Sequence, residues 1–276
     1  MLMTTRTFRI FISSTFEDLI EERNALQLKV FPRLRKLCEV HGARFQPVDL
    51  RWGVPDEAVL GQRLMEICFT EIERCHRART NPSFIILVGN RYGRPVLPGR
   101  IPAVEFEGIL MHLQDPENRT LVESWYQLDD NAVPPEYLLK PRSGELMNRE
   151  RWEKVEDLLQ KALLEAARAL ELENPILLKY HGSATHQEIV KGLGPNPSDR
   201  RHVFAFFRKE QKLGDARLEE LKEFLHQQLD GDIDTYEAGN LDELCTAVAD
   251  RLERAILEEL APVSYTHLTL PTIYSV

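Results

Sequence analysis

The chain has 276 residues, 43% hydrophobic and 29% charged, a balance that suits a globular protein with a sizeable core and excludes disorder and collagen. No stretch reaches the roughly 18 consecutive apolar residues of a spanning helix, and Met1–Phe8 lacks a signal-peptide apolar run, so a cytosolic location and no membrane partner are expected. Lys and Arg number 35 against 44 Asp and Glu, a net charge of −9; a sequence-independent grip on nucleic acid needs a basic excess, so no nucleic-acid partner is expected either.

Thr7–Ser13 is an apolar run of strand length, and Ser13-Ser14-Thr15 after it is helix-cap chemistry. Ser14 and Glu17 fit a capping box, and apolar residues then recur at helical spacing from Phe16 to Cys38, with Arg23 among them. A second strand is expected over 43–49, ending in Leu50-Arg51-Trp52-Gly53, followed by a helix over 60–78. That helix puts Cys68 and Cys75 on one face. With Cys38 and Cys245 they make four cysteines, read as reduced core thiols and neither a disulfide framework nor a metal site. Phe84-Ile-Ile-Leu-Val88 is the most continuously apolar run, as a strand buried on both faces requires, and it ends in Gly89-Asn-Arg-Tyr-Gly93.

From about 95 to 180 the alternation of strand and helix breaks. A helical pattern near 104–113, prolines at 134 and 135, and an amphipathic helix over 149–172 predict a mostly helical insertion. Alternation resumes with a helix over 185–193, a strand over 202–207, a helix over 216–229, a strand over 233–236 and a helix over 241–260. Five strands each followed by a helix predict an α/β fold, a parallel sheet with helices on both faces, in one domain over 1–262. Residues 263–276 carry no charge apart from His267. They resemble translated sequencing-adaptor read-through, so they are set aside as a non-native tail, and the natural protein is expected to continue past 262.

In an open α/β sheet, ligands sit at the carboxyl ends of the strands. The candidate binding residues are therefore Ser13, Ser14, Thr15, Asp49, Arg51, Trp52, Arg91 and Tyr92. Hydroxyls at a helix start suit a phosphate-bearing ligand, but they equally suit plain capping. Arg51 and Trp52 could hold a phosphate and stack on a base; an Arg51–Asp49 pair with Trp52 as a packing anchor explains them as well, and Arg91 and Tyr92 carry the same two readings. Gly89 and Gly93 have no Gly-Lys-Ser/Thr sequel, so no NTP hydrolysis is expected here. His181 and His186 lack metal-ligand spacing.

Four motifs carry a resemblance: Phe11-Ile-Ser-Ser-Thr-Phe-Glu-Asp-Leu-Ile-Glu-Glu-Arg23, Val48-Asp-Leu-Arg-Trp-Gly53, Phe84–Gly93 and Asp130-Asn-Ala-Val-Pro-Pro-Glu-Tyr137. Over residues 6–261 the chain resembles a domain-of-unknown-function family that opens NACHT-type (STAND) NTPases bearing WD or TPR repeats. The resemblance implies a flavodoxin-like or TIR-like sheet of order 2-1-3-4-5, and a signalling module that acts by self-association or partner recruitment ahead of a NACHT-like ATPase. It also implies an alternative, a TIR-like glycohydrolase with NAD as substrate. Glu188 is the one catalytic residue that carries over, at the start of the helix Ser183-Ala-Thr-His-Gln-Glu-Ile189. A Thr185-x-x-Glu188 capping box accounts for the same residues without a ligand.

Overall fold

The computed structural model describes residues 6–15, 17–50, 63–196, 200–209 and 215–261. Five parallel strands, β1 (Thr7–Ser13), β2 (Arg44–Val48), β3 (Phe84–Val88), β7 (Val203–Arg208) and β8 (Ile233–Tyr236), lie in the order β2-β1-β3-β7-β8. Counting parallel strands alone, this is the flavodoxin-like order 2-1-3-4-5 that the sequence resemblance implied. All five residues of β3 are buried, as its unbroken apolar run requires of a central strand.

Alternation along β1 sends Phe8, Ile10 and Ile12 to one face and Phe11 to the other. The first face is covered by α1 (Ile20–Ala25), α2 (Phe31–Val40) and α10 (Leu241–Leu260), and the second by α3 (Leu64–Arg77), α8 (Ala184–Leu193) and α9 (Ala216–Gln228). One π-helical turn, Leu26–Val30, joins α1 to α2. It sits just before Pro32, which has no N–H to donate and whose ring crowds the carbonyl four residues back, so the helix widens there. The helix starts at Ile20 without a side-chain cap, so the expected Ser14–Glu17 capping box does not form. Thr15 instead donates to the Asp18 carboxylate.

Between β3 and α8 the chain inserts a unit with its own core. The expected helices are α4 (Ala103–His112) and α6 (Arg149–Ala169), with α5 (Pro116–Trp125) and the short α7 (Leu178–His181) beside them. Three short antiparallel strands are an addition to the mostly helical expectation: β4 (Arg100–Pro102), β5 (Tyr126–Asp129) and β6 (Glu136–Leu139), in the order β4-β6-β5. No helix among the described residues is long and apolar enough to cross a membrane. All four cysteines are buried and free.

Candidate functional site

Strand order reverses between β1 and β3, and their carboxyl ends form the place where an α/β sheet can hold a ligand. Ser13, the last residue of β1, is fully buried, and its Oγ donates to Glu188 Oε2 at 2.7 Å. Glu188 comes from the second turn of α8 and is itself buried. The helix is capped two residues earlier than the sequence suggested: Ser183 Oγ accepts from the N–H of His186 at 3.2 Å. Thr185 therefore lies inside the helix, and the Thr185–Glu188 capping box is replaced by the Ser183 cap. Freed from capping, Glu188 reaches inward to the end of β1.

Around this carboxylate stand Cys68 from α3, Arg23 from α1 and Asp49 from the end of β2. Arg23 donates to the carbonyl of Ile12 at 2.8 Å and lies 3.6 Å from Asp49, both side chains buried. Burial pushes the Glu188 carboxyl above its ordinary value; hydrogen bonds from Ser13 and Cys68 and the Arg23 charge pull the other way, and Asp49 adds to the rise. Burial, with the neighbouring Glu188, pushes the Cys68 thiol far up, so it stays a thiol that donates to the carboxylate.

Tyr92 is buried, and its hydroxyl is 2.7 Å from His186 Nδ1 in the first turn of α8, while Arg217 lies 4.8 Å over the Tyr92 ring. A phenol can donate or accept, so the imidazole tautomer sets which of the two is the donor. Burial and the neighbouring His181 push His186 down to about 4. The native state thus binds this proton less tightly than the unfolded chain, whose His titrates near 6.5, and the contribution of His186 to stability is lost as pH falls from about 6.5 through 4. An NMR titration of the His186 ring is expected to show a midpoint near 4; a midpoint above 6 would show that the ring is not buried as described.

Gly93 has φ +88°, and a Cβ there would lie 3.3 Å from Ser183 Cβ and 3.4 Å from Thr15 Cγ2, so the β3 turn, the β1 end and the α8 cap close on one another. Ser14 is buried, with its Oγ on the Thr15 carbonyl at 3.0 Å. Arg91 does not join the cluster; it pairs with Glu17 at 2.7 Å on the surface. Arg51 and Trp52 lie outside the described residues. The sequence reading did not assign Arg23 or Cys68 to the site, although a guanidinium in the apolar stripe Leu19, Leu26, Val30 was the signal for the first. A cleft of about 940 Å³ lies between α3 and the inserted sheet; Gln187 lines it, but its walls do not include Glu188.

Fold and site define a doubly wound α/β domain with a buried acidic cluster at its switch point and an inserted α+β unit. Residues 9–109 match the family described as Domain of unknown function (DUF4062), and the chain carries that domain. It is 31% identical over 216 residues to the NACHT domain- and WD repeat-containing protein 1 of Mus musculus, which is 78% of this chain and 14% of that protein. It is 32% identical over 224 residues to the NACHT and WD repeat domain-containing protein 2 of Homo sapiens, 74% of this chain and 13% of that one. A shorter match, 36% over 88 residues, is to the Telomerase protein component 1 of Rattus norvegicus, 32% of this chain and 3% of that protein. The chain spans about a seventh of the length of the first two relatives, and it is homologous to the N-terminal segment of NACHT-WD proteins. No solved structure matches it.

Proposed function

We propose that this chain is the N-terminal signalling module of a larger NACHT-type ATPase, acting by self-association or partner recruitment. The observation that carries the reading is the similarity to NACHT and WD repeat proteins, of which the chain corresponds to a small part. The chemistry at the switch point agrees with it: Glu188 is held by Ser13, and Asp49 lies beside Arg23. Charged groups bound to one another inside the fold position elements; they are not presented to a substrate. The test joins the chain to an inducible dimeriser and follows mass by sedimentation. Clustering is expected to draw in further, untethered copies or a partner from a defined mixture, whereas a clustered chain that gathers neither would overturn the reading.

The glycohydrolase alternative rests on one observation, a glutamate hydrogen-bonded to a serine at the strand end where a TIR-like enzyme would cleave NAD. Its burial argues against it, because the carboxylate must face the ribosyl centre to stabilise positive charge there. Nicotinamide release from NAD by the dilute and the clustered chain separates the two. The signalling reading expects none, and release that Glu188→Gln abolishes, with the melting temperature unmoved, would transfer the assignment to the enzyme.

A further inference from the structure

We propose that the cleft between α3 and the inserted sheet takes an extended basic peptide, added as a fourth strand alongside β5. The inference deepens the recruitment half of the function proposed above by naming the class of partner, and it rests on that reading. In an antiparallel pair, facing residues alternate between those that exchange both backbone hydrogen bonds and those that exchange none. Lys140 N–H donates to the Trp125 carbonyl at 2.9 Å, and the register pairs Tyr126 with Leu139, Gln127 with Leu138 and Asp129 with Glu136. Trp125, Gln127 and Asp129 therefore face β6, while Tyr126 and Leu128 turn their backbone groups away from it. The Tyr126 N–H is taken by the carbonyl of Val122 in the preceding helix. Leu128 has no such backbone partner among the described residues, and β5 is an edge of its sheet. An open strand edge with a free N–H and C=O is the template for strand addition.

The walls of the cleft say what the added strand carries. Met65 and Phe69 of α3, with Leu97 and Leu138 across from them, give an apolar floor, and Leu128, Asp129 and Asp130 form the rim at the open edge. Every cation of the lining is already engaged: Arg63 and Arg100 with Glu66, Lys179 with Glu105, and Lys140 with the carbonyl of Ser124. Among the described residues, Asp129 and Asp130 accept only from Asn131, and no basic side chain pairs with them. The two carboxylates without a cation thus sit beside the free strand edge, whereas the Lys140 ammonium, held by a carbonyl, lies at the opposite end of β5, where Lys140 faces Trp125. Side chains of an extended peptide repeat on one face every second residue, so the fitting segment presents Lys or Arg beside Asp129 and Asp130 and an apolar residue two positions along, towards Phe69.

The probe is a fluorescein-labelled peptide of repeating Arg-Thr-Val-Thr, compared by anisotropy with the same peptide carrying Glu for Arg. The dilute wild-type chain is expected to bind the arginine peptide and not the glutamate one. Asp129→Asn with Asp130→Asn keeps the oxygens that Asn131 uses and is expected to weaken binding roughly tenfold or more, because rim charges set partner choice. Leu128→Pro removes the outward N–H without touching the β5–β6 hydrogen bonds, and is expected to abolish binding. Should that variant melt early, N-methylation of alternate peptide residues tests the same hydrogen bonds on the wild-type chain and is expected to abolish binding too. Equal binding of the two peptides, binding of neither, or an N-methylated peptide that binds like its parent would overturn the proposal. Because the clustering experiment uses no peptide, a failure here and a failure there are distinguishable.

Discussion

Arg208→Ala is expected to cost about 3–5 kcal/mol, the range for breaking a buried ion pair by removing one partner. Arg208 ends β7, and its side chain is only 12% exposed. One terminal nitrogen donates to the Asp18 carbonyl at 2.8 Å and to Glu22 Oε1 at 3.0 Å, and the other to Asp18 Oδ2 at 3.1 Å. Those carboxylates are nearly buried, and the rest of their valence is spoken for: Tyr236 donates to Glu22 at 3.3 Å, and the N–H of Asn90 to Asp18 at 2.9 Å. Alanine would leave two buried negative charges facing a hole. Gly89 shows how closely the network is packed, since a Cβ there would lie 2.3 Å from Asp18 Oδ2.

At roughly 2–4 °C per kcal/mol for a domain of this size, the melting temperature of Arg208→Ala should fall by about 6–20 °C. Arg33→Ala, which removes an exposed partner of Glu253, should change stability by less than about 1 kcal/mol. Replacing the whole network with Arg208→Met, Asp18→Asn and Glu22→Gln should recover most of the loss, because the charges left unpaired are then gone. A single Arg208→Ala variant that melts like the wild type would show that these carboxylates are solvated.

This network was only partly legible in the sequence. Asp18 and Glu22 lie in a motif that resembled a known family, yet nothing local marks Arg208, which is 190 residues from Asp18. The five parallel strands and the helices between them were legible because each depends on local periodicity; β3, buried on both faces, read as an unbroken apolar run. The inserted sheet was not, because its strands are only three or four residues long and show no alternation that a short window can resolve. At the switch point, Ser13 could be singled out from its place at a strand end and Glu188 from the family resemblance. Their hydrogen bond could not, since it joins residues 175 apart and depends on α8 being capped by Ser183, two residues before the expected Thr185. Only the third dimension sends the carboxylate inward.

Gly192→Ala is expected to destabilise the protein by about 1–3 kcal/mol, the cost of overpacking a filled core, although alanine normally gains about 1 kcal/mol over glycine inside a helix. The reversal of sign comes from Phe84. A Cβ at Gly192 would lie 2.2, 2.4 and 2.5 Å from the Cζ, Cε2 and Cε1 atoms of that ring. The ring cannot turn aside: Phe84 is fully buried at the start of β3 and stacks on Phe11, centroids 5.6 Å apart and planes 4° from parallel. Nor can the helix lift away cheaply. The Gly192 carbonyl receives His76 Nε2 at 3.0 Å and His202 Nε2 at 3.2 Å, and both rings would lose their acceptor if α8 moved outward. Urea unfolding should therefore show a lower midpoint with an unchanged slope. Phe84→Leu, destabilising by itself, should make Gly192→Ala much less harmful in the double variant, giving an interaction energy of order 1 kcal/mol because the two side chains compete for one volume. Additive effects would mean that the helix and the strand are not in contact at Gly192, and with that the placement of α8 over β3, which sends Glu188 to the switch point, would fall.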